Sequence, residues 1–78
     1  MAIGFVLMHI SPVHEHEIFR KLSTIPEVIE LHTLFGEYDL VAKIEAKNYE
    51  GIGEIIIHKI KTIEGITDTK TLTGKKIK

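Results

Sequence analysis

The chain has no cysteine, no tryptophan and only two prolines in 78 residues. Without cysteine it has neither disulfides nor thiolate metal sites to staple a small fold. It also lacks an excess of charge of one sign. The net charge is −1, so there is no electrostatic argument for nucleic acid as a direct partner. Long hydrophobic runs are missing too. The apolar stretch from Met1 to Ile10 is far too short to span a bilayer. It has no basic leader and no small-residue cleavage site, so it does not read as a signal peptide. The expectation is a cytoplasmic protein with no membrane partner. No glycine-rich phosphate loop is present, because Gly51-Ile52-Gly53 lacks the further glycine and the lysine of such loops.

What remains describes a folded protein. The composition is 44% hydrophobic and 27% charged, with fourteen isoleucines, and nine of the ten basic residues are lysine. An Ile, Lys and Glu bias of this kind is compatible with a thermophilic source. The length allows one domain, residues 1–78. A domain this small buries a modest share of its surface, and association with further copies is its remaining route to stability. Charge is uneven, −4 over residues 1–39 and +3 over residues 40–78, which suits self-pairing.

The pattern of apolar residues predicts six elements. Ala2 to Ile10 is a strand ended by Ser11-Pro12. Ile3, Phe5 and Leu7 point to one side of it, and Val6, Met8 and Ile10 to the other, so both sides require cover. Val13 to Thr24 is a helix with Ile18, Leu22 and Ile25 on one face, stopped by Pro26. Val28 to Phe35 and Tyr38 to Ala46 are strands joined by a Gly36-Glu37 turn. Asn48 is the expected N-cap of a second helix reaching about Thr62, with Ile52, Ile55, Ile56, Ile60 and Ile63 facing inward and Ile57 facing away. Ile66 to Thr73 is the last strand. Its facing is ambiguous, since Thr67, Thr69, Thr71 and Thr73 alternate with Ile66, Asp68, Lys70 and Leu72; a bulge and an oligomer contact are the two explanations.

The chain also repeats weakly. A shift of 38 residues sets Thr24-Ile25 on Thr62-Ile63, Val28 on Ile66, and Thr33 to Gly36 on Thr71 to Gly74. Two βαβ units interleave into an α+β, ferredoxin-like βαββαβ fold, a four-stranded antiparallel sheet with both helices on one face. Two helices cover one side only. A second copy of the sheet is the natural cover for the other, giving a dimeric α/β barrel-type sandwich.

Candidate chemistry is sparse. His14-Glu15-His16-Glu17 resembles a metal cluster, but on a helix His14 and His16 point roughly 200° apart. Glu54 and His58 are correctly spaced for an exposed helix pair. His9 reads as a half-buried strand residue, and His32 has no nucleophile beside it. Ser11 and Ser23 sit at helix ends, where serine caps. Asp39, Glu30 and His32 leave acid–base chemistry open, but no spacing forces two carboxylates together. No catalytic residue, metal site or cofactor is expected. The segment Gly36-Glu37-Tyr38-Asp39 is different. A glycine turn exposes backbone N–H groups that suit a carboxylate, and the aspartate that follows suits an ammonium. The plain alternative is a hairpin turn with a surface aspartate.

Residues 28–46, and above all Gly36-Glu37-Tyr38-Asp39 between two apolar strands, resemble the regulatory domain of the Lrp/AsnC (feast/famine) transcription regulators. Gly65-Ile66-Thr67-Asp68-Thr69-Lys70-Thr71 is similar to that family's closing segment of spaced threonines. The order of elements matches over essentially the whole chain. The resemblance implies a sheet-to-sheet dimer assembling into larger oligomers, with a small effector, usually an amino acid, held between dimers. It implies Gly36, Glu37, Tyr38 and Asp39 as ligand-binding residues, joined by Thr69 and Thr71. The family's DNA-reading helix-turn-helix has no place before a strand that begins at Ala2, so a stand-alone regulatory domain is expected. Such a domain senses an amino acid, co-assembles with a full-length regulator, or adjusts another protein's activity. The competing readings are a small dimeric α+β barrel enzyme of monooxygenase or isomerase type, which needs a roomy polar cavity, and a purely structural adaptor.

Overall fold

The computed structural model describes residues 1–78. Strand β1 spans Ala2–Ile10, as its apolar run and the proline after it require. A 3-10 turn, Pro12–His14, leads into α1, Glu15–Ser23. Strands β2, Val28–Thr33, and β3, Leu40–Ala46, follow. Helix α2, Tyr49–Ile55, continues directly into a π-helical turn, Ile56–Ile60, and β4 closes the chain at Ile66–Gly74. The four strands form one antiparallel sheet in the order β2-β3-β1-β4. This is the interleaved βαβ pair that the repeat predicts.

The core lies between the sheet and the helices. Val6 and Met8 of β1 and Leu40, Ala42 and Ile44 of β3 meet Ile18 and Leu22 of α1 and Ile52, Ile55, Ile56 and Ile60 of the second helical segment. Each of these side chains is buried, and burying one isoleucine or leucine contributes about 1.5–3 kcal/mol. Ile57 is 57% exposed, as its position off the apolar stripe predicts. The cap of α2 is also as expected: the Asn48 side chain accepts a 2.8 Å hydrogen bond from the Gly51 N–H. The serines differ from expectation. Ser11 makes no side-chain cap, and the Ser23 hydroxyl donates back to the Phe19 carbonyl inside α1. The extended helix expected to Thr62 loses α geometry at Ile55-Ile56-Ile57. Three consecutive β-branched side chains crowd an α-helical turn, and the wider turn relieves them. The Lys61 N–H then reaches the Ile56 carbonyl at 2.8 Å.

A bulge settles the facing of β4. Thr69 lies opposite Met8, Thr71 opposite Val6 and Thr73 opposite Gly4, so these threonines sit on the helix side. The register shifts between His9 and Ile10, which leaves Thr67 as the extra residue and turns Ile66 inward against the core. The Thr67 hydroxyl donates to the His9 carbonyl across this bulge. On the other side of the sheet, Phe5 lies opposite Leu72 and Leu7 opposite Val41. No element of the chain packs over that side, and Phe5 and Leu72 are 40% and 50% exposed.

Charged pairs tie the periphery together. Lys59 donates to both oxygens of Glu27 at 3.0 and 3.1 Å, linking the π turn to the start of β2, and holds that carboxyl below its usual range. His32 and Lys43 depress Glu30 in the same way, and Arg20 depresses Glu17. The expected Glu54–His58 pair is present at 3.0 Å.

Candidate functional site

Antiparallel pairing of β3 with β1 sets the start of β3 beside the end of β1. The connection that precedes β3 therefore lands next to Ile10 and the entry of α1. That connection is longer than the tight turn read from the sequence. Strand β2 stops at Thr33 and β3 begins at Leu40, leaving Leu34 to Asp39 as a six-residue loop. The ends of the loop are fixed by backbone bonds. The Leu34 N–H donates to the Asp39 carbonyl and the Asp39 N–H to the Met8 carbonyl, both at 2.9 Å. At its tip Gly36 has φ 137°, a left-handed conformation that favours glycine.

Asp39 is the best-positioned side chain of the loop. Its Oδ2 accepts a 3.0 Å hydrogen bond from the Ile10 N–H, and His9 Nδ1 lies 3.7 Å from the same oxygen. Tyr38 stacks on the His9 ring with centroids 4.6 Å apart. Together these contacts hold the base of the loop against the end of β1. The N–H groups of Phe35, Gly36, Glu37 and Tyr38 donate to no backbone or side-chain acceptor in the chain. A preorganised carboxylate beside free donors is the arrangement that a zwitterion needs.

A cleft of about 410 Å3 opens between the loop, the end of β1 and the start of α1. Its lining is Ile10, Pro12, Glu15, Thr33, Leu34, Phe35 and Asp39. Of the ligand-binding residues expected from the sequence, only Asp39 lines it. Gly36, Glu37 and Tyr38 belong to the same loop but do not line it. Thr69 and Thr71 lie across β1 from it, opposite Met8 and Val6. Thr69 lines a separate hollow of about 290 Å3 with Lys61, Ile66, Thr67 and Asp68. Within one chain, then, the loop residues come together and the threonines stand apart. The sequence marks Glu15 only within the candidate metal cluster, and Leu34 and Phe35 only within a strand. The strand order carries the signal for Glu15, because the start of α1 must follow the end of β1 to which the loop returns.

The histidine cluster does not assemble. His14 Nε2 lies 2.9 Å from Glu64, away from His16, and no group of three or more metal-ligating side chains occurs. The interior between helices and sheet is filled by the isoleucine-rich core, where an enzyme of the barrel type needs its cavity.

The same fold recurs in known proteins. The family pattern described as the Lrp/AsnC ligand binding domain matches residues 3–74. An HTH-type transcriptional regulator of Pyrococcus horikoshii is 37% identical over 74 residues, covering 91% of this chain and 49% of the regulator. A homocitrate synthase of Sulfurisphaera tokodaii is 36% identical over 61 residues, covering 78% of this chain and 13% of the enzyme. Among solved structures, FFRP-DM1 superposes with a TM-score of 0.89 at 33% identity, covering 96% of this chain and all of the other. The L-Met complex of the regulator NMB0573 from Neisseria meningitidis shares the fold, with a TM-score of 0.89 at 15% identity, covering 97% of this chain and 51% of the other. The chain spans about half the length of the regulators it matches. No helix is long and apolar enough to cross a membrane, and the two helices are separated by strands with no helix-turn-helix between them. With both helices and all four strands but for Ala2 inside the matched span, the chain belongs to the Lrp/AsnC ligand-binding domain family.

Proposed function

We propose that this domain is an oligomeric, amino-acid-responsive regulatory module of the cytoplasm, with its effector seated at the Leu34–Asp39 loop. The observation that carries this reading is the fixed Asp39 carboxylate, held by the Ile10 N–H beside four unused loop N–H groups. Asp39 takes the effector's ammonium, and the N–H groups of the Gly36-Glu37-Tyr38 turn take its carboxylate. Thr69 and Thr71 join the site only from a neighbouring subunit, since one chain keeps them on the far side of β1. That neighbour belongs to another dimer: two copies pack their bare sheet faces together over Phe5, Leu7 and Leu72, and such dimers associate further around the loop. The L-Met complex of a regulator with this fold supports an amino acid as the class of effector.

Titration of the chain with each of the twenty amino acids, followed by thermal shift, tests the reading. The expected result is a rise in Tm for one class, because ligand at a hundredfold its Kd stabilises the folded state by about 2.7 kcal/mol. No stabilisation by any of them at millimolar concentration refutes it. Two outputs fit the module. One is co-assembly with a full-length regulator. The other is direct control of an enzyme, favoured by the occurrence of a similar segment within a homocitrate synthase. In both, the domain itself does no chemistry.

A further inference from the structure

Resting on the sheet-to-sheet dimer proposed above, we infer that β4 makes a further contact between dimers, apart from the one around the loop, in which two copies of this edge strand pair antiparallel about a two-fold axis at Thr69. The strand order β2-β3-β1-β4 leaves β4 with a neighbour on one side only. The direction of its backbone groups follows from bonds around β1. The Met8 carbonyl accepts from the Asp39 N–H and the Ile10 N–H donates to the Asp39 carboxylate, so the even-numbered residues of β1 face β3. The His9 carbonyl accepts from the Thr67 hydroxyl and the Ser11 N–H donates to the Gly65 carbonyl, so the odd-numbered ones face β4. Asp68, Lys70 and Leu72 lie opposite His9, Leu7 and Phe5 and turn their backbone groups back to them. Thr69 and Thr71, which alternate with these, therefore turn their N–H and C=O groups away from the sheet. The side chains are uncovered as well. Thr71 and Thr73 are exposed although they sit on the helix side, and Leu72 is half-exposed on the other.

The side chains choose both the occupant and the register. A charge on an edge strand normally keeps that edge solitary. This edge carries one charge of each sign, and Asp68 and Lys70 form no ion pair within the chain. Pairing about Thr69 sets Asp68 against Lys70 of the second copy, twice over. It also sets Thr69 against Thr69, Thr71 against Thr67 and Leu72 against Ile66. Opposite charges and threonine pairs are favourable cross-strand neighbours. An axis at Lys70 sets lysine against lysine, and an axis at Thr71 sets Asp68 against Gly74 and Lys70 against Leu72. The other edge, β2, offers no such match: its register shifts between Val28 and Glu30, and Glu30 is already held by His32 and Lys43. The bulge at Thr67 keeps the β4 contact short. It holds between dimers, which offer two edges each, and not between lone subunits.

The chain has no cysteine, so a single introduced one reports contact between copies. Thr69→Cys, Lys70→Cys and Thr71→Cys are each made in the whole chain, oxidised mildly and followed on non-reducing gels, and the parent is sized by sedimentation. Residues opposite one another in a hydrogen-bonded antiparallel pair have Cα atoms about 5.5 Å apart, within disulfide reach, whereas displaced positions lie too far apart. Thr69→Cys is expected to link about tenfold faster than the other two. Adding Asp68→Lys is expected to slow that link about tenfold, because two attractive pairs become repulsive, and adding Lys70→Asp as well restores it. The parent is expected to sediment beyond the dimer, and Asp68→Lys alone to return it to dimers. A link fastest at Lys70→Cys or Thr71→Cys, no link at any of the three, or a rate indifferent to Asp68→Lys overturns the inference; a parent that forms dimers then leaves the sheet-to-sheet reading standing. A parent that sediments as lone subunits defeats both.

Discussion

Two glycines with left-handed backbones show how differently single residues are constrained. Gly65 has φ 100°, and a Cβ built there falls 2.6 Å from His14 Cβ and 2.9 Å from Ile18 Cδ1. Gly36 has φ 137° but open space around it. Gly65→Ala therefore adds a steric clash to the dihedral strain and is expected to cost about 3 kcal/mol in urea denaturation. Gly36→Ala suffers the strain alone, about 1 kcal/mol, and equal losses for the two variants contradict this assignment. Protonation acts at the same scale. Lys59 holds Glu27 below its ordinary carboxylate range, as His32 and Lys43 hold Glu30. A carboxyl with a depressed folded pKa stabilises above its unfolded value and loses that contribution as pH falls through the folded one. Stability is accordingly expected to fall on the acid side of the carboxylate range, and less steeply in Lys59→Met, as measured by denaturation at a series of pH values.

Elements were legible where periodicity and caps agree. Asn48 caps α2 through the Gly51 N–H, and Asn48→Ala is expected to cost about 1 kcal/mol with loss of protection in the first turn of α2 by hydrogen exchange. The bounds of β1 follow from its apolar run and Pro12. The inward faces of both helical segments follow from isoleucine spacing. The loop before β3 was harder to read. Phe35 and Tyr38 have strand-like side chains, yet one is fully exposed and the other stacks on His9. What decides the matter is a long-range bond, the Asp39 N–H to the Met8 carbonyl, which no local pattern encodes. The bulge in β4 is likewise a product of pairing with β1. It assigned Ile66 to the core side, where strict alternation had grouped it with Asp68. Of the site, Gly36 to Asp39 was visible as a motif, whereas Glu15 and Phe35 became lining residues only through topology.

At the scale of the whole molecule, the two faces of the sheet have different fates. The helix-side face is closed by the core, and the other carries Phe5, Leu7, Val41 and Leu72 with no element over them. A charge placed among these side chains is costly to desolvate when another sheet packs on it. Phe5→Glu is expected to convert the proposed assembly to single subunits in analytical ultracentrifugation, with a secondary structure unchanged by circular dichroism. A parent chain that sediments as a lone subunit at micromolar concentration refutes sheet-to-sheet assembly. Strand β1 has a double appointment in this scheme. Its last residue donates the amide that steadies Asp39, and its middle residues Phe5 and Leu7 stand on the bare face where the proposed dimer packs. On the proposed effector and dimer readings, a molecule bound at Asp39 pulls on one end of the strand whose middle carries the dimer face, and by reciprocity tighter assembly is expected to firm the grip. Occupancy and assembly are then expected to rise together, and slower exchange of the Ile10 amide is the measurement that checks it.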